Sequence, residues 1–223
     1  MNYKDLEWKL KACQHYNRRF FVTEGVFSME GNIPDLKLTL AICKKYDCHL
    51  IVDDCHGVGV LGKTGRGALE YWGVDINDIC LLSATLAKGL GGGGGGYIAG
   101  KYEVVKYLNQ RSRAYIYSTT VSIPVIAVSR WCLKYINDHP EMLEETRKKV
   151  RWFKDGIKRI KLSYGGHEDS SVVPVYMKCE AIGKNMIEEL IRRGVLTIGI
   201  AFPVVEVGQA RARIIITRTH TNE

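Results

Sequence analysis

A lysine just ahead of six consecutive glycines is the feature that most restricts the fold of this chain. Lys88 lies in the segment Ser83-Ala84-Thr85-Leu86-Ala87-Lys88-Gly89-Leu90, after the apolar residues 79–82 and before Gly91 to Gly96. Glycine lets the backbone adopt positive φ and approach a ligand closely. A partly desolvated lysine held there suits amine chemistry such as Schiff-base formation. The alternative is that Lys88 is an ordinary surface lysine in a flexible loop. The segment does not match a P-loop, because a P-loop carries its lysine after the glycines.

An acidic pair and a histidine follow an apolar run in Leu50-Ile51-Val52-Asp53-Asp54-Cys55-His56-Gly57-Val58-Gly59. Such a run predicts a buried parallel strand, and ligands of open α/β sheets collect at the carboxyl ends of such strands. Asp53 can then reach a ring nitrogen while His56 meets a ring substituent, as a pyridoxal phosphate ring requires. The alternative is that Asp53 and Asp54 cap the next turn and His56 is a loop histidine.

The hydrophobic pattern alternates between strands and helices. This alternation predicts an α/β fold with a mostly parallel sheet. The pattern changes after Gly165 and Gly166, so we expect part of a large domain over 1–138 and a smaller α+β domain over 139–223. The predicted strands are 19–23, 50–52, 80–83, 97–99, 172–177, 196–200 and 213–217, and the predicted helices are 36–46, 103–110, 123–137, 141–160 and 182–193.

The charge of the chain does not by itself indicate a nucleic-acid-binding protein. The formal net charge is +8, from 32 basic and 24 acidic residues, and much of the excess lies in residues 147–161. Apolar residues recur there at helical spacing, so this segment predicts an amphipathic helix with a solvated basic face. No nucleic-acid-binding motif accompanies it, and we expect no nucleic-acid partner.

Cysteine spacing and hydropathy favour a protein of a reducing compartment. The seven cysteines are scattered and form no CxxC pair, which favours reduced thiols over a disulfide framework or a zinc site. We therefore predict no metal. No apolar run has the length of a membrane span, and residues 1–20 lack the apolar core of a signal peptide. The cytoplasm is therefore the expected compartment. If a targeting segment precedes this sequence, the expected compartment is the mitochondrion.

In combination and order, the motifs resemble the α-oxoamine synthase family of pyridoxal-phosphate enzymes, which have the fold type I, aminotransferase-like architecture. The resemblance extends from about residue 20 to residue 220 and is specific in its combination of motifs. Besides the two stretches above, the motifs are Thr23-Glu24-Gly25-Val26-Phe27-Ser28-Met29-Glu30-Gly31, Gly62-Lys63-Thr64-Gly65-Arg66-Gly67 and Gly208-Gln209-Ala210-Arg211-Ala212-Arg213.

The resemblance implies roles for five residues around the cofactor. Lys88 matches the lysine that forms the Schiff base with pyridoxal 5'-phosphate and moves the α-proton of the amino acid. Asp53 matches the partner of the ring nitrogen, and His56 matches the residue on the phenolic oxygen. Ser28 matches a serine near the same face of the cofactor, and Thr85 matches the hydroxyl that holds the phosphate.

Further residues match positions that bind the partner subunit's cofactor and the substrate. Ser118 and Thr119 resemble the segment that reaches the phosphate of the neighbouring subunit, which implies a homodimer with a shared active site. Arg211 resembles the arginine that binds the substrate carboxylate, a bidentate geometry that lysine does not supply. Arg213 is the second candidate, because residues two apart along a strand point to the same face.

The implied reaction joins an amino acid to the acyl group of an acyl-CoA and yields an α-amino ketone. Gly25-Val26-Phe27-Ser28-Met29, the doubled acid at 53–54 and Gln110-Arg111-Ser112-Arg113 favour the glycine C-acetyltransferase members, which use glycine and acetyl-CoA. A serine palmitoyltransferase-type activity is the first alternative, and a non-catalytic remnant or partner subunit is the second. Family members carry a long segment ahead of the matching region and a helical segment after it. We therefore expect this chain to lack the N-terminal part of the family fold and to be truncated within its C-terminal domain.

Overall fold

The computed structural model describes residues 1–177 and 179–221, and contacts divide the chain into two compact units. The first unit comprises Met1–Val26 and Pro34–Pro140. The second comprises Glu141–Glu223 together with the short segment Phe27–Ile33. The motif that contains Ser28 is thus packed with the C-terminal part of the chain.

The first unit is built around a four-stranded sheet in the order β1-β2-β3-β4. The pairs β1–β2 and β2–β3 are parallel, and β4 returns antiparallel to β3 after the glycine run. The predicted α/β fold with a mostly parallel sheet is confirmed. The strands are β1 (Phe20–Glu24), β2 (His49–Asp53), β3 (Leu81–Thr85) and β4 (Gly96–Gly100), and the helices are α1 (Tyr3–Ala12), α2 (Leu36–Lys45), α3 (Ala68–Trp72), α4 (Tyr102–Arg111), α5 (Arg113–Ile116) and α6 (Ile123–Asp138), with a single 3₁₀ turn at Ile76–Asp78.

Alternate residues of the central strands form the core that fixes this sheet. Leu50 and Val52 of β2 and Leu82 and Ala84 of β3 are buried, while the intervening residues are exposed or half-buried. Because side chains alternate between the two faces of a strand, this burial fixes the register of the pairing. The register places Asp53 beside Ser83, at the carboxyl ends of two parallel strands.

The second unit is a three-stranded antiparallel sheet in the order β5-β7-β6, which packs against helices. Its core contains Val150 and Ile157 from one helix and Val173, Val175 and Ala212 from the strands. The elements are α7 (Glu141–Arg159), β5 (Val172–Tyr176), α8 (Glu180–Arg192), β6 (Ile198–Ile200) and β7 (Arg211–Ile215).

Lys154 is a buried cation that organises a loop of the second unit. Its side chain, on α7, donates hydrogen bonds to the carbonyl oxygens of His167, Glu168 and Ser170. Burial lowers the pKa of Lys154 to about 8. The amine therefore supplies a donor to the carbonyl groups of Glu168 and Ser170, and it adds a second donor to the His167 carbonyl, which also accepts the Ser170 N–H.

Replacing Lys154 by Met should lower the free energy of unfolding by about 2–4 kcal/mol, because the carbonyl groups of Glu168 and Ser170 lose their donor. Lys148→Met, at an exposed position of the same helix, should change it by less than about 0.5 kcal/mol. Urea denaturation of the two variants beside the wild type measures both values. Equal effects of the two substitutions would show that the loop does not depend on Lys154.

Among the described residues, no helix combines the length and the apolar character that crossing a bilayer requires. Within the same part of the chain, no three or more His, Cys, Asp or Glu side chains are grouped so that they could hold a metal ion. All seven cysteines are free thiols.

Candidate active site

The parallel strands β2 and β3 bring two sequence motifs to the same edge of the sheet. β2 ends at Asp53, followed by the turn that carries His56, and β3 ends at Thr85, followed by the loop that carries Lys88. Lys88 Nζ lies 3.0 Å from His56 Nε2, within hydrogen-bonding distance. Lys88 is exposed and His56 is half-buried. The structure thus brings together the amine and the imidazole that the sequence singled out.

Two glycines allow the turn after β2 to approach the lysine loop. A Cβ at Gly89 would lie 2.6 Å from the carbonyl oxygen of Val58, and a Cβ at Gly59 would lie 2.8 Å from the carbonyl carbon of Gly89. Gly59 also has a φ of 82°, which other residues rarely adopt. Both positions therefore require glycine so that Lys88 can reach His56.

Thr85 ties the lysine loop to the glycine run. Its Oγ1 donates to the carbonyl oxygen of Gly95 at 3.1 Å and accepts from the Ala87 N–H at 3.2 Å. The Gly92 N–H donates to the Leu86 carbonyl at 2.7 Å, which closes a compact loop around Lys88. The glycine run is thus folded back on the lysine loop, and Gly91, Gly93 and Gly95 have positive φ.

Asp53 is half-buried at the end of β2 and lies next to a cysteine. Its Oδ1 accepts a hydrogen bond from the Cys55 N–H at 3.0 Å. Burial, together with a hydrogen bond and the negative charge of Asp53, raises the pKa of the Cys55 thiol to about 11. The thiol is therefore protonated near neutral pH and is a poor nucleophile.

Asp54, the second acid of the pair, is fully buried beneath this turn. Its Oδ2 accepts the Ala68 N–H at 2.7 Å, and its Oδ1 accepts no hydrogen bond from the described residues. Burial is the main cause that raises the pKa of Asp54 to about 7, and the negative charge of Asp53 adds to it. The two neighbouring acids thus lie in different environments, one facing outward and one enclosed.

The raised pKa of Asp54 should make stability depend on pH. A carboxyl whose pKa is higher in the folded state contributes full stability below its unfolded value and loses that contribution as the pH rises through about 7. The free energy of unfolding of the wild type, relative to Asp54→Asn, should therefore fall by up to roughly 4 kcal/mol between about pH 4 and pH 7. Urea unfolding at several pH values checks this, and a pH-independent difference would contradict it.

In the second unit, Arg211 is engaged by an internal ion pair. Its Nη1 lies 3.2 Å from Glu30 Oε1 and 3.3 Å from the Met29 carbonyl oxygen, and its Nε donates to the Gln209 carbonyl oxygen. The guanidinium also lies 5.2 Å from the ring centre of Tyr176. The residue is only 4% exposed. The positive charge of Arg211 is therefore already balanced by a carboxylate of the protein.

The side chain of Arg213 lies on the same face of β7 as that of Arg211, but it lacks a carboxylate partner among the described residues. Its Nε donates to the Ser28 carbonyl oxygen at 2.6 Å, and its two terminal nitrogens make no hydrogen bond within that part of the chain. Burial lowers the pKa of Arg213. A half-buried guanidinium without a counter-ion is costly, so this position favours an anionic ligand.

The other residues singled out by the sequence lie on separate elements. Ser28 is half-buried in the segment that Arg213 contacts. Ser118 and Thr119 are exposed in the stretch between α5 and α6. That exposure is compatible with a role toward a neighbouring subunit.

Sequence reasoning missed the ion pair between Glu30 and Arg211 and the enclosed environment of Asp54. Glu30 and Arg211 are far apart in the chain, and no local pattern connects them. The sequence did carry a signal for the environment of Asp54. Successive side chains of a strand point to opposite faces, so the pattern directs Asp54 away from the side that Asp53 faces.

Comparison with known proteins identifies the family of the chain. The profile of the family described as aminotransferase class I and II matches residues 1–223. The chain is 36% identical over 219 residues to 8-amino-7-oxononanoate synthase of Exiguobacterium sibiricum, covering 98% of this chain and 55% of that protein. It is 33% identical over 219 residues to the mitochondrial 2-amino-3-ketobutyrate coenzyme A ligase of Mus musculus, covering 98% and 52%.

The fold is also that of a solved enzyme structure. A serine palmitoyltransferase from S. paucimobilis, with a bound PLP–myriocin aldimine, superposes with a TM-score of 0.92 at 25% identity, covering 99% of this chain and 55% of that one. The chain spans about half the length of the curated relatives it matches. The relatives named above are α-oxoamine synthases, and the chain belongs to the aminotransferase class I and II family.

Proposed function

We propose that this protein is a pyridoxal-phosphate-dependent acyltransferase that condenses an amino acid with an acyl-CoA to an α-amino ketone. Glycine and acetyl-CoA are the substrate pair we favour. The observation that carries the proposal is the 3.0 Å approach of Lys88 Nζ to His56 Nε2 at the strand edge that also presents Asp53. The relatives named above support the reaction class.

The residues at this edge fit pyridoxal phosphate by their chemistry. The cofactor has an aldehyde, a ring nitrogen, a phenolic oxygen and a phosphate. The amine of Lys88 suits the aldehyde, and the carboxylate of Asp53 suits the ring nitrogen. The imidazole of His56 suits the phenolic oxygen, and the hydroxyl of Thr85 suits the phosphate. These four residues lie on β2, β3 and the loops that follow them. When bound, the cofactor supplies an electron-withdrawing ring that stabilises negative charge on the α-carbon of the amino acid.

Each residue then has a defined task. The Asp53 carboxylate keeps a proton on the ring nitrogen, and Lys88 Nζ takes the proton from the α-carbon of the substrate. The contact with His56 Nε2 holds that amine in place. Thr85 Oγ1, already fixed by Gly95 and Ala87, would bind phosphate from the same chain.

We assign the substrate carboxylate to Arg213 in preference to Arg211. Arg211 would have to release Glu30 before it could bind another carboxylate. Arg213 offers two terminal nitrogens that lack a hydrogen-bond partner among the described residues, which suits bidentate binding. Ser28 remains a proposed cofactor residue, on the segment that Arg213 contacts.

We further propose a homodimer in which Ser118 and Thr119 reach the cofactor phosphate of the neighbouring subunit. Both residues are exposed in this chain, and exposed apolar residues such as Tyr117 and Ile123 flank them. Contiguous exposed apolar surface favours a protein partner. The free cysteines favour a reducing compartment, for which we propose the cytoplasm.

A substrate panel tests the proposed reaction. The purified chain with pyridoxal phosphate is given glycine, serine or alanine together with acetyl-CoA or a long-chain acyl-CoA, and release of free CoA thiol is measured. We expect thiol release to require an amino acid and to be fastest with glycine and acetyl-CoA. A preference for serine with the long-chain ester would favour the palmitoyltransferase-type activity. Cofactor binding without any thiol release would favour a non-catalytic subunit.

A further inference from the structure

Three backbone segments converge on the buried carboxyl group of Asp54. Gly25 follows β1, Gly57 lies in the turn after β2, and Gly67 precedes α3. A Cβ at any of these three glycines would overlap a carboxylate oxygen of Asp54. The glycines therefore form a close-fitting cage, which admits the carboxyl only because none of them has a side chain.

The cage also holds the backbone around Asp54 in place. The Gly25 N–H donates to the Asp53 carbonyl oxygen at 2.7 Å, and the N–H groups of Gly57 and Val58 donate to the Asp54 carbonyl oxygen at 3.1 Å. The Asp54 side chain itself reaches across to the Ala68 N–H. Asp53 and Asp54 together thus connect the end of β1, the turn with His56 and the start of α3.

The titratable side chains that interact with Asp54 lie in and just after β2 and on β4. Burial is the main cause of the raised pKa values of Asp54, of Cys55 and of Tyr97 on β4. The negative charge of Asp53 adds to the effect on Asp54, and that of Asp54 adds to the effects on Cys55 and Tyr97. None of the described residues forms a salt bridge with Asp54. A helix cap alone does not require this enclosure, since Asp35 caps α2 through the Leu38 N–H while only partly buried.

We propose that Asp54 is a positioning residue whose caged carboxyl fixes the turn from Asp53 to His56, and so sets the places of the two side chains that hold the cofactor ring. The inference rests on the proposed function. Asp53 directly precedes the caged residue and His56 follows it by two positions, so a change in the cage moves both. Asp54 acts through these neighbours and has no direct contact with the cofactor in this proposal.

Binding of pyridoxal phosphate to Asp54→Ala, Asp54→Asn and Asp35→Ala tests the proposal. Asp54→Ala empties the cage and should raise the Kd, measured by absorption titration, at least about tenfold. Asp54→Asn keeps the shape and the oxygen that accepts from Ala68. At about pH 6, where the wild-type carboxyl is also mostly uncharged, this variant should restore the Kd to within about threefold of wild type. Asp35→Ala removes a matched helix cap away from the site and should leave the Kd within about twofold.

A second readout needs no cofactor. The imidazole of His56 is titrated by NMR in the cofactor-free chains. Its titration midpoint should shift in Asp54→Ala, shift less in Asp54→Asn and stay at the wild-type value in Asp35→Ala. If the wild type does not bind pyridoxal phosphate, the proposed function fails, and the His56 titration alone decides the role of Asp54. An unchanged His56 midpoint in Asp54→Ala, or an equal shift in Asp35→Ala, would overturn the proposal.

Asp54→Asn carries the test if Asp54→Ala does not fold. The ratio of the wild-type and Asp54→Asn dissociation constants cancels the titrations of the cofactor itself. This ratio should change by at least about threefold between about pH 6 and pH 8, because only the wild-type side chain gains charge in the cage there. A constant ratio would show that the carboxyl does not influence the site.

Discussion

Lys88→Ala should lower the rate of thiol release by about 10²–10⁴-fold, because it removes the group proposed to move the α-proton. The reason is the placement of the amine, whose Nζ lies 3.0 Å from His56 Nε2. Alanine leaves the strand edge and its loop intact, since Lys88 is exposed and its side chain supports no core contact. The rate is measured with glycine and acetyl-CoA at saturating pyridoxal phosphate.

Two further variants separate amine chemistry from charge and from general effects on the fold. Lys88→Arg retains a cation but provides no nucleophilic amine, so it should lose activity as severely as the alanine variant. Lys101→Ala changes an exposed lysine at the N-cap of α4, whose side chain makes no capping hydrogen bond, and this variant should retain wild-type activity. Substantial activity in Lys88→Arg would mean that only the positive charge is needed.

Arg213→Lys should raise the KM for the amino acid by about 10- to 150-fold, which corresponds to the loss of about 1.5–3 kcal/mol from a charge-assisted hydrogen bond. The terminal nitrogens of Arg213 form no hydrogen bond within the described part of the chain, and its pKa is lowered by burial. A carboxylate ligand would supply the missing counter-charge. Initial rates at varied glycine concentration measure this KM.

Arg211→Lys is the matched control on the same face of β7. Because Arg211 pairs with Glu30, this substitution should mainly lower the stability of the second unit and leave the KM for glycine within about threefold of wild type. The opposite outcome, a large KM effect at Arg211 and a small one at Arg213, would restore the assignment that the sequence motif alone suggested. Thermal unfolding of both variants separates stability from binding.

Much of the first unit could be predicted from the sequence because its signals are local. An apolar run that ends in acids, as at 50–54, predicts a strand with polar groups at its carboxyl end, and β2 ends at Asp53. The helices predicted at 36–46 and 141–160 carry strong apolar periodicity, and α2 and α7 span nearly these ranges. The parallel neighbours β2 and β3 then bring Lys88 and His56 to one edge.

Elements with short or weak patterns could not be predicted in this way. α3 has five residues, fewer than the apolar periodicity of a helix requires, and α1 buries only Leu6 and Leu10. Long-range contacts leave no local trace either. The Glu30–Arg211 ion pair, the packing of Phe27–Ile33 with the C-terminal unit and the glycine cage of Asp54 all depend on segments that are distant in sequence.

The proposed function requires that pyridoxal phosphate attach to Lys88. The most direct measurement is to mix the wild-type chain with pyridoxal phosphate, reduce it with borohydride and locate the modified lysine by peptide mass spectrometry. We expect one dominant label, on Lys88, that is lost when an excess of glycine is added before reduction. Labelling spread over exposed lysines such as Lys63 and Lys101, with Lys88 not enriched, would contradict it.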